Sequence, residues 1–482
     1  MHYKVSISNP SQHFIKLSWT IDFIHQDILH IQLPSWRPGR YELQNYAKNI
    51  RAFCVFEENG KEIQFKKITK DCWELDTKNV NKLLVSYEYY ANQYDAGASF
   101  VDENQLYINP VNCMMYVVGR MDEAYQIELD IPDNYQIACQ LPNSEKMLYA
   151  KNFDELADSP FIASATLQHS EFEVQQATIH FWFQGKHQIN IEQLTSDTKK
   201  YIVKQIEIFG DLPCKEFHFL YPILETPFRH GVEHANSTVI AMGKSQEQTD
   251  EDFYHDLLAI SSHEFFHLWN VKRIRPVDMF PYDFTKENYS TLGYVYEGVT
   301  TYYGDLMLLR SNAWDWERYC KSFESDLKRH VENPGRFNYS VAESSFDTWL
   351  DGYVQGVLGR KVSIYMEGML AAFIADVMII KHSKLKFSLD DVMNDLYQNY
   401  YKHGKGYTEN DYRLLLEKYS GISFENYFKE IIFGKNYFEK YLIEIADYLG
   451  CRIVFPSSEL LKNEDFSIEQ NEIFNRWTRH YN

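Results

Sequence analysis

Short runs in which apolar and polar residues alternate fill the first third of the chain. HYKVSIS (2–8), FIKLSWTIDFI (14–24), DILHIQLP (27–34), KLLVSYEYY (82–90) and YQIELDIP (125–132) are rich in β-branched and aromatic residues. That period of two predicts half-buried strands, and their number predicts an all-β, sandwich-like domain over residues 1–168. Between RAFCVF and KEIQF, Asn59-Gly60 suits a tight hairpin turn because both positions tolerate positive φ. SWRPGRY (35–41) carries turn residues at Pro38 and Gly39.

The pattern then becomes mixed. FEVQQATIHFWFQG and KEFHFLYPI read as strands flanking a helix in NIEQLTSDTKKYIVKQIEIFG. From about Asp252 the period turns helical. DFYHDLLAISSHEFFHLWNVKRI (252–274) predicts one helix that Pro276 stops, and LGYVYEGVTTYYGDLMLLR (292–310) predicts a second. Ser388, Thr408 and Ser423 each put a capping hydroxyl before a helical run. The apolar run MLAAFIADVMII (369–380) is too short to cross a bilayer.

Composition narrows the function classes. The 482 residues are 45% hydrophobic, enough for large cores, and the formal net charge of −20 argues against nucleic acid or anionic membrane as the main partner. Seven cysteines stand singly with no CxxC pair, so neither a disulfide framework nor a thiolate zinc site is expected. The opening MHYKVSISNP has no apolar core of a secretory signal, and a cytoplasmic location is the expectation.

The chemistry gathers at SSHEFFHLWNVKRIRP (261–276), where His263, Glu264 and His267 have the spacing HExxH. On a helix, residues four apart share a face, so both imidazoles can reach one ion. Glu264 beside them can hold and deprotonate a water. A catalytic zinc takes three protein ligands, and the best third candidate is Glu297 in YVYEGVTTYY, with Pro276 and Pro281 in the connection. His255 is two turns from His263, too far to share its ion. Thr301, one turn beyond Glu297, is a candidate partner for it. RHGVEHANST (229–238) and SIYMEGMLAAF (363–373) hold Glu233 and Tyr365, which composition alone leaves as a polar loop and a packed tyrosine.

HEFFHLWNVKRIRP, PYDF (281–284), the segment 294–310, VAESSFDTWL (341–350), SIYMEGML, SLDDVMNDLY and the earlier LPSWRPGRYELQNYAKNI together resemble the glycyl-aminopeptidase family of zinc metallopeptidases, usually described with a C-terminal PDZ domain. The resemblance spans about residues 1–450. It implies an α+β multidomain protein: an N-terminal all-β domain (1–168), a thermolysin-like (gluzincin) α/β catalytic domain (169–325) and a C-terminal helical domain (326–450). Residues 451–482 would be a tail, too short for a PDZ domain. It implies one Zn2+ per chain held by His263, His267 and Glu297, with Glu264 as general base. Glu233 falls in the family's GxEH motif and would bind the α-ammonium of a peptide, and Tyr365 would donate to the oxyanion. The implied activity is removal of N-terminal glycine, less readily alanine, from peptide substrates. Glu367 stands where the family often has lysine, and Val232 replaces a leucine. A non-catalytic peptide-binding protein and a zinc endopeptidase are the alternatives.

Overall fold

The structure, a computed structural model, describes residues 1–479. The chain forms two compact units. The first contains residues 1–188, 214–248 and 283–287; the second contains residues 189–213, 249–282 and those from Asn288 onward.

The first unit is built on four sheets. The largest has seven strands in the order Asn143–Ser144, Met147–Ala150, Tyr125–Asp130, His2–Asn9, Phe14–Ile21, Leu83–Tyr90, Ile50–Glu57. Its alternation does what the sequence predicts. Tyr3 pairs with Trp19 and Val5 with Leu17, and Leu17 and Trp19 pair in turn with Tyr87 and Val85. All six are buried, and the Tyr3 and Trp19 rings stack at 5.1 Å. Two four-stranded sheets follow, and short helices at Pro110–Cys113 and Phe153–Ala157 interrupt the otherwise β-rich region. Asn59-Gly60 does turn the chain, with the Glu57 carbonyl accepting from the Gly60 and Lys61 carbonyl from the Glu57 amide. The pairing is short, a bridge between Phe56 and Glu62 with the Ile63 amide donating to the Val55 carbonyl; beyond it Ile50–Glu57 joins the seven-stranded sheet, whereas Phe65–Thr69 pairs with Cys72–Asp76.

The fourth sheet is mixed, in the order Gln168–Val174, Ala177–Gln184, Glu216–Pro222, Ser237–Gly243, Phe228–Glu233. Two parallel pairings in its middle demand crossovers. It ends on an antiparallel strand whose last residue is Glu233, paired with Thr238.

The second unit is mainly helical. Helix Ile191–Phe209 begins at an Asn190 cap and ends at Gly210 with φ +85°, as the pattern of its segment predicts. Helix Asp250–Phe266 is capped by Thr249, whose hydroxyl accepts from the Asp252 amide, and places three acids in its positive first turn. Helix Ile364–His382 is the unit's central rod, buried over nearly its whole length. Its apolar run thus serves the core. Thr408 caps Glu409–Ser420 with a reciprocal capping box, and at the start of Leu389–Asp395 the Ser388 amide donates to the Asp391 carboxylate at 2.8 Å. Ser423 stands one residue too early to be the cap, which is Phe424, although its hydroxyl accepts from the Glu425 amide at 3.2 Å. Residues after 450 form the hairpin Cys451–Val454/Glu459–Lys462 and helix Ile468–Thr478. Among the described residues no helix is long and apolar enough to cross a membrane.

Candidate active site

The HExxH segment is helical, but its helix ends earlier than the pattern predicts. Asp250–Phe266 is α-helical, His267 is its C-cap, and the following residues close wide turns, with Lys272 N–H donating to the His267 carbonyl and Ile274 N–H to Trp269. The physical reason lies in Asn270, fully buried at this point. Its side-chain amide donates to the Val295 carbonyl at 3.0 Å and lies 3.1 Å from the Thr300 hydroxyl. A straight helix would carry that amide away from both partners. The turn also leaves the Asn270 carbonyl 2.7 Å from His267 Nδ1, which donates to it. That bond fixes the tautomer in which Nε2 keeps its lone pair for an ion.

Glu297 sits on a wide helical turn, the π-helix Tyr294–Val299, which runs on into helix Thr300–Arg310. Such widened turns are uncommon and gather at functional sites. Thr301, expected to support Glu297, instead bonds that residue's backbone carbonyl at 2.9 Å. Two glycine contacts set the spacing of the surrounding helices. At Gly304 a Cβ would lie 3.2 Å from the His263 Cα, and the Gly304 carbonyl accepts from the Ser262 hydroxyl at 2.7 Å. At Gly298 a Cβ would lie 2.4 Å from the Gly368 Cα, so the π-turn and helix Ile364–His382 touch backbone to backbone.

The three candidate ligand atoms converge. His263 Nε2 and His267 Nε2 are 3.0 Å apart, and Glu297 Oε2 lies 3.4 Å from His267 Nε2 and 3.8 Å from His263 Nε2. Ligands bonded at 2.0–2.1 Å in a tetrahedron stand about 3.3 Å from one another. The donor set therefore fits one zinc ion. His267 and Glu297 are buried. Glu264 is buried on the same helix, one residue from His263. Tyr365 lies in the first turn of helix Ile364–His382, its ring centroid 6.4 Å from that of His263. His255 is occupied elsewhere, 3.8 Å from Glu251.

Glu367, two residues beyond Tyr365, is buried and accepts from His330 Nδ1 at 2.5 Å. Arg336 then donates to His330 Nε2 at 2.8 Å and to Glu439 at 2.6 Å. The carboxylate that replaces the expected lysine is thus tied into a buried network of its own.

In the first unit, Glu233 is buried at the end of its strand, and its Oε1 makes no hydrogen bond. Gly39, in the loop SWRPGRY, makes room for it: a Cβ there would lie 2.5 Å from Glu233 Oε2, and the glycine's φ of +80° suits the turn. Beyond Glu233, Asp158 holds the chain by accepting from the Ala235 amide at 2.8 Å and lying 3.1 Å from His234 Nδ1. Three residues before Glu233 on the same strand, burial and the Arg37 guanidinium push the His230 imidazole down to about 4, against the opposing pull of Asp95.

Comparison with known proteins places this arrangement. The sequence matches the Peptidase M61 N-terminal domain over residues 2–165 and the M61 glycyl aminopeptidase over residues 256–371. The chain belongs to the M61 glycyl aminopeptidase family. Among solved structures, an aminopeptidase N family protein from Idiomarina loihiensis superposes with a TM-score of 0.88 at 28% identity, over 94% of this chain and 79% of that one. An M1 zinc metallopeptidase from Deinococcus radiodurans, bound to a Tyr-Ser-Ala substrate, shares the fold at a TM-score of 0.55 and 11% identity, over 91% and 94% of the two chains. No curated protein matches the sequence. As an M61 member the chain is a peptidase by family, with a β-rich N-terminal part and a helical C-terminal part.

Asn270 and Gly39 differ in how far the sequence shows their tasks. Asn270 is the one amide between the apolar pair Leu268-Trp269 and Val271, a signal that it is buried and bonded. Gly39 shows in the sequence only as a turn residue, because its second task depends on a carboxylate far away in sequence.

Proposed function

We propose that this chain is a zinc-dependent aminopeptidase of the gluzincin type, which hydrolyses the first peptide bond of peptides beginning with small residues, Gly before Ala. The observation that carries the reading is the meeting of His263, His267 and Glu297 at tetrahedral spacing beside Glu264. One Zn2+ per chain, held by those three residues, would supply a Lewis acid that polarises the scissile carbonyl and makes water acidic enough to be deprotonated near neutral pH.

The chain's own groups do the rest. Glu264 takes a proton from the attacking water and returns it to the departing amine, a role that contributes roughly 10²–10⁴ in rate. The Tyr365 hydroxyl donates to the carbonyl oxygen as negative charge builds on it. Glu233 receives the substrate's α-ammonium, so that the bond cut is the first one. Its unpartnered buried oxygen supports the assignment, because a buried carboxylate without a donor is costly unless a ligand provides one.

The test is Glu264→Gln. The variant is expected to retain one zinc per chain by elemental analysis and to lose at least ~10³-fold in kcat, near the upper part of the range for a general base. Turnover within tenfold of the parent would reject Glu264 as the base.

A further inference from the structure

The mixed sheet of the first unit carries a second set of metal-ligating side chains, unrelated to HExxH. His169 and Glu171 lie on the edge strand Gln168–Val174, His180 on Ala177–Gln184, and Glu216 and His218 on Glu216–Pro222. The register sets Glu171 opposite His180 and His180 opposite His218. Positions two apart on a strand share a face, so all five side chains project from one side of the sheet.

The distances are those of a coordination sphere. His169 Nε2 and His180 Nδ1 are 3.1 Å apart, and Glu171 Oε2 lies 3.3 Å from His180 Nδ1 and 3.8 Å from His169 Nε2. These separations match the about 3.3 Å edge of a tetrahedral zinc site as closely as those around His263 do. The rings are also held in place. His169 stacks on Trp182 at 3.8 Å and His180 on His218 at 4.4 Å, while the Trp182 indole N–H donates to His218 Nδ1 at 3.2 Å. His218 is 5% exposed, and its Nε2 and that of His180 make no hydrogen bond. A hydrophobic ladder would not need two carboxylates aimed at the same imidazoles, with Glu216 3.8 Å from His218 Nε2.

We propose that His169, Glu171 and His180 form a second binding site for a divalent transition-metal ion of the zinc class, at the edge of this sheet. Two imidazoles and one carboxylate are the donor set such borderline ions prefer. A bound ion would clamp the edge strand to its neighbour, stabilising the fold by mass action. The site does not depend on the peptidase reading, since it shares no residue with it.

The experiment removes the candidate catalytic ligands with His263→Ala and His267→Ala, then titrates the protein with Zn2+ by calorimetry. One equivalent is expected to bind, with an affinity at least tenfold weaker once His169→Ala is added and similarly weakened by Glu171→Gln. No binding in the doubly substituted protein, or binding unaffected by His169→Ala, would overturn the proposal. Should the double variant lack a cooperative melt, zinc per chain is compared between the parent and His169→Ala after dialysis. Two equivalents against one support the site, and equal contents refute it. The parent's melting temperature should also rise with added Zn2+ by more than that of His169→Ala.

Discussion

Asn270 does two jobs with one residue. Its carbonyl receives the His267 Nδ1 proton, and its amide ties the turn after the motif to the π-helix that carries Glu297. Partners of this kind typically govern metal affinity by 10–100-fold. Asn270→Ala removes the amide that holds the turn aiming that backbone carbonyl, and is accordingly expected to lower zinc affinity by about that factor in a chelator competition, with a smaller effect on far-ultraviolet circular dichroism; unchanged affinity would show that the side-chain amide is not needed to aim the carbonyl at His267. At this scale the sequence was informative where chemistry depends on local spacing. His263, Glu264 and His267 declare themselves by a four-residue interval on one helix face. Glu297 followed from the need for a third ligand. Asn270 did not, because what it offers His267 is a backbone carbonyl whose direction depends on where the helix stops. Glu367 was legible only as a departure in charge, and its bond to His330 needed coordinates.

Elements impose the next level of constraint. The π-turn holding Glu297 and the rod holding Tyr365 meet at Gly298 and Gly368, where a single added carbon has no space. Gly298→Ala should cost about 1–3 kcal/mol of stability as overpacking, and a shift of ~1 Å in the Glu297 carboxylate would lower kcat/KM by roughly 10². Thermal melts with kinetics check both, and a variant with parental Tm and activity would contradict the packing argument. Strand Phe228–Glu233 yields a prediction in pH. His230 stays neutral when folded down to about 4, whereas in the unfolded chain it titrates near 6.5. Between those values the unfolded state binds the extra proton, so stability falls as pH drops, by up to about 1.4 kcal/mol per unit from this group. His230→Asn should flatten the fall in Tm between pH 6.5 and 4; an unchanged slope would mean that His230 protonates freely when folded. The strands and long helices were readable because period two and period 3.6 differ plainly. Widened helical turns were not, since a π-turn has the same apolar faces as the helix it interrupts.

For the molecule as a whole, helix Ile468–Thr478 is part of the second unit's core. The Trp477 carbonyl accepts from the buried Arg310 at 2.8 Å, and its indole N–H donates to the Tyr302 hydroxyl at 2.7 Å. Tyr302 in turn donates to Asp376, fully buried on the central rod. Residues read beforehand as a tail therefore close a buried polar network, which composition could not reveal because each partner lies over a hundred residues away. The long motif text carried the family. Whether this M61 chain is the proposed zinc aminopeptidase for small first residues is decided by hydrolysis of Gly-, Ala- and Leu-p-nitroanilide, with N-acetylglycyl-p-nitroanilide alongside, with and without a chelator and with zinc quantified. The account predicts chelator-sensitive cleavage, led by Gly and then Ala, and none of the acetylated amide. Bound zinc with no cleavage of the free-amine substrates, or equal cleavage of the acetylated one, would contradict it.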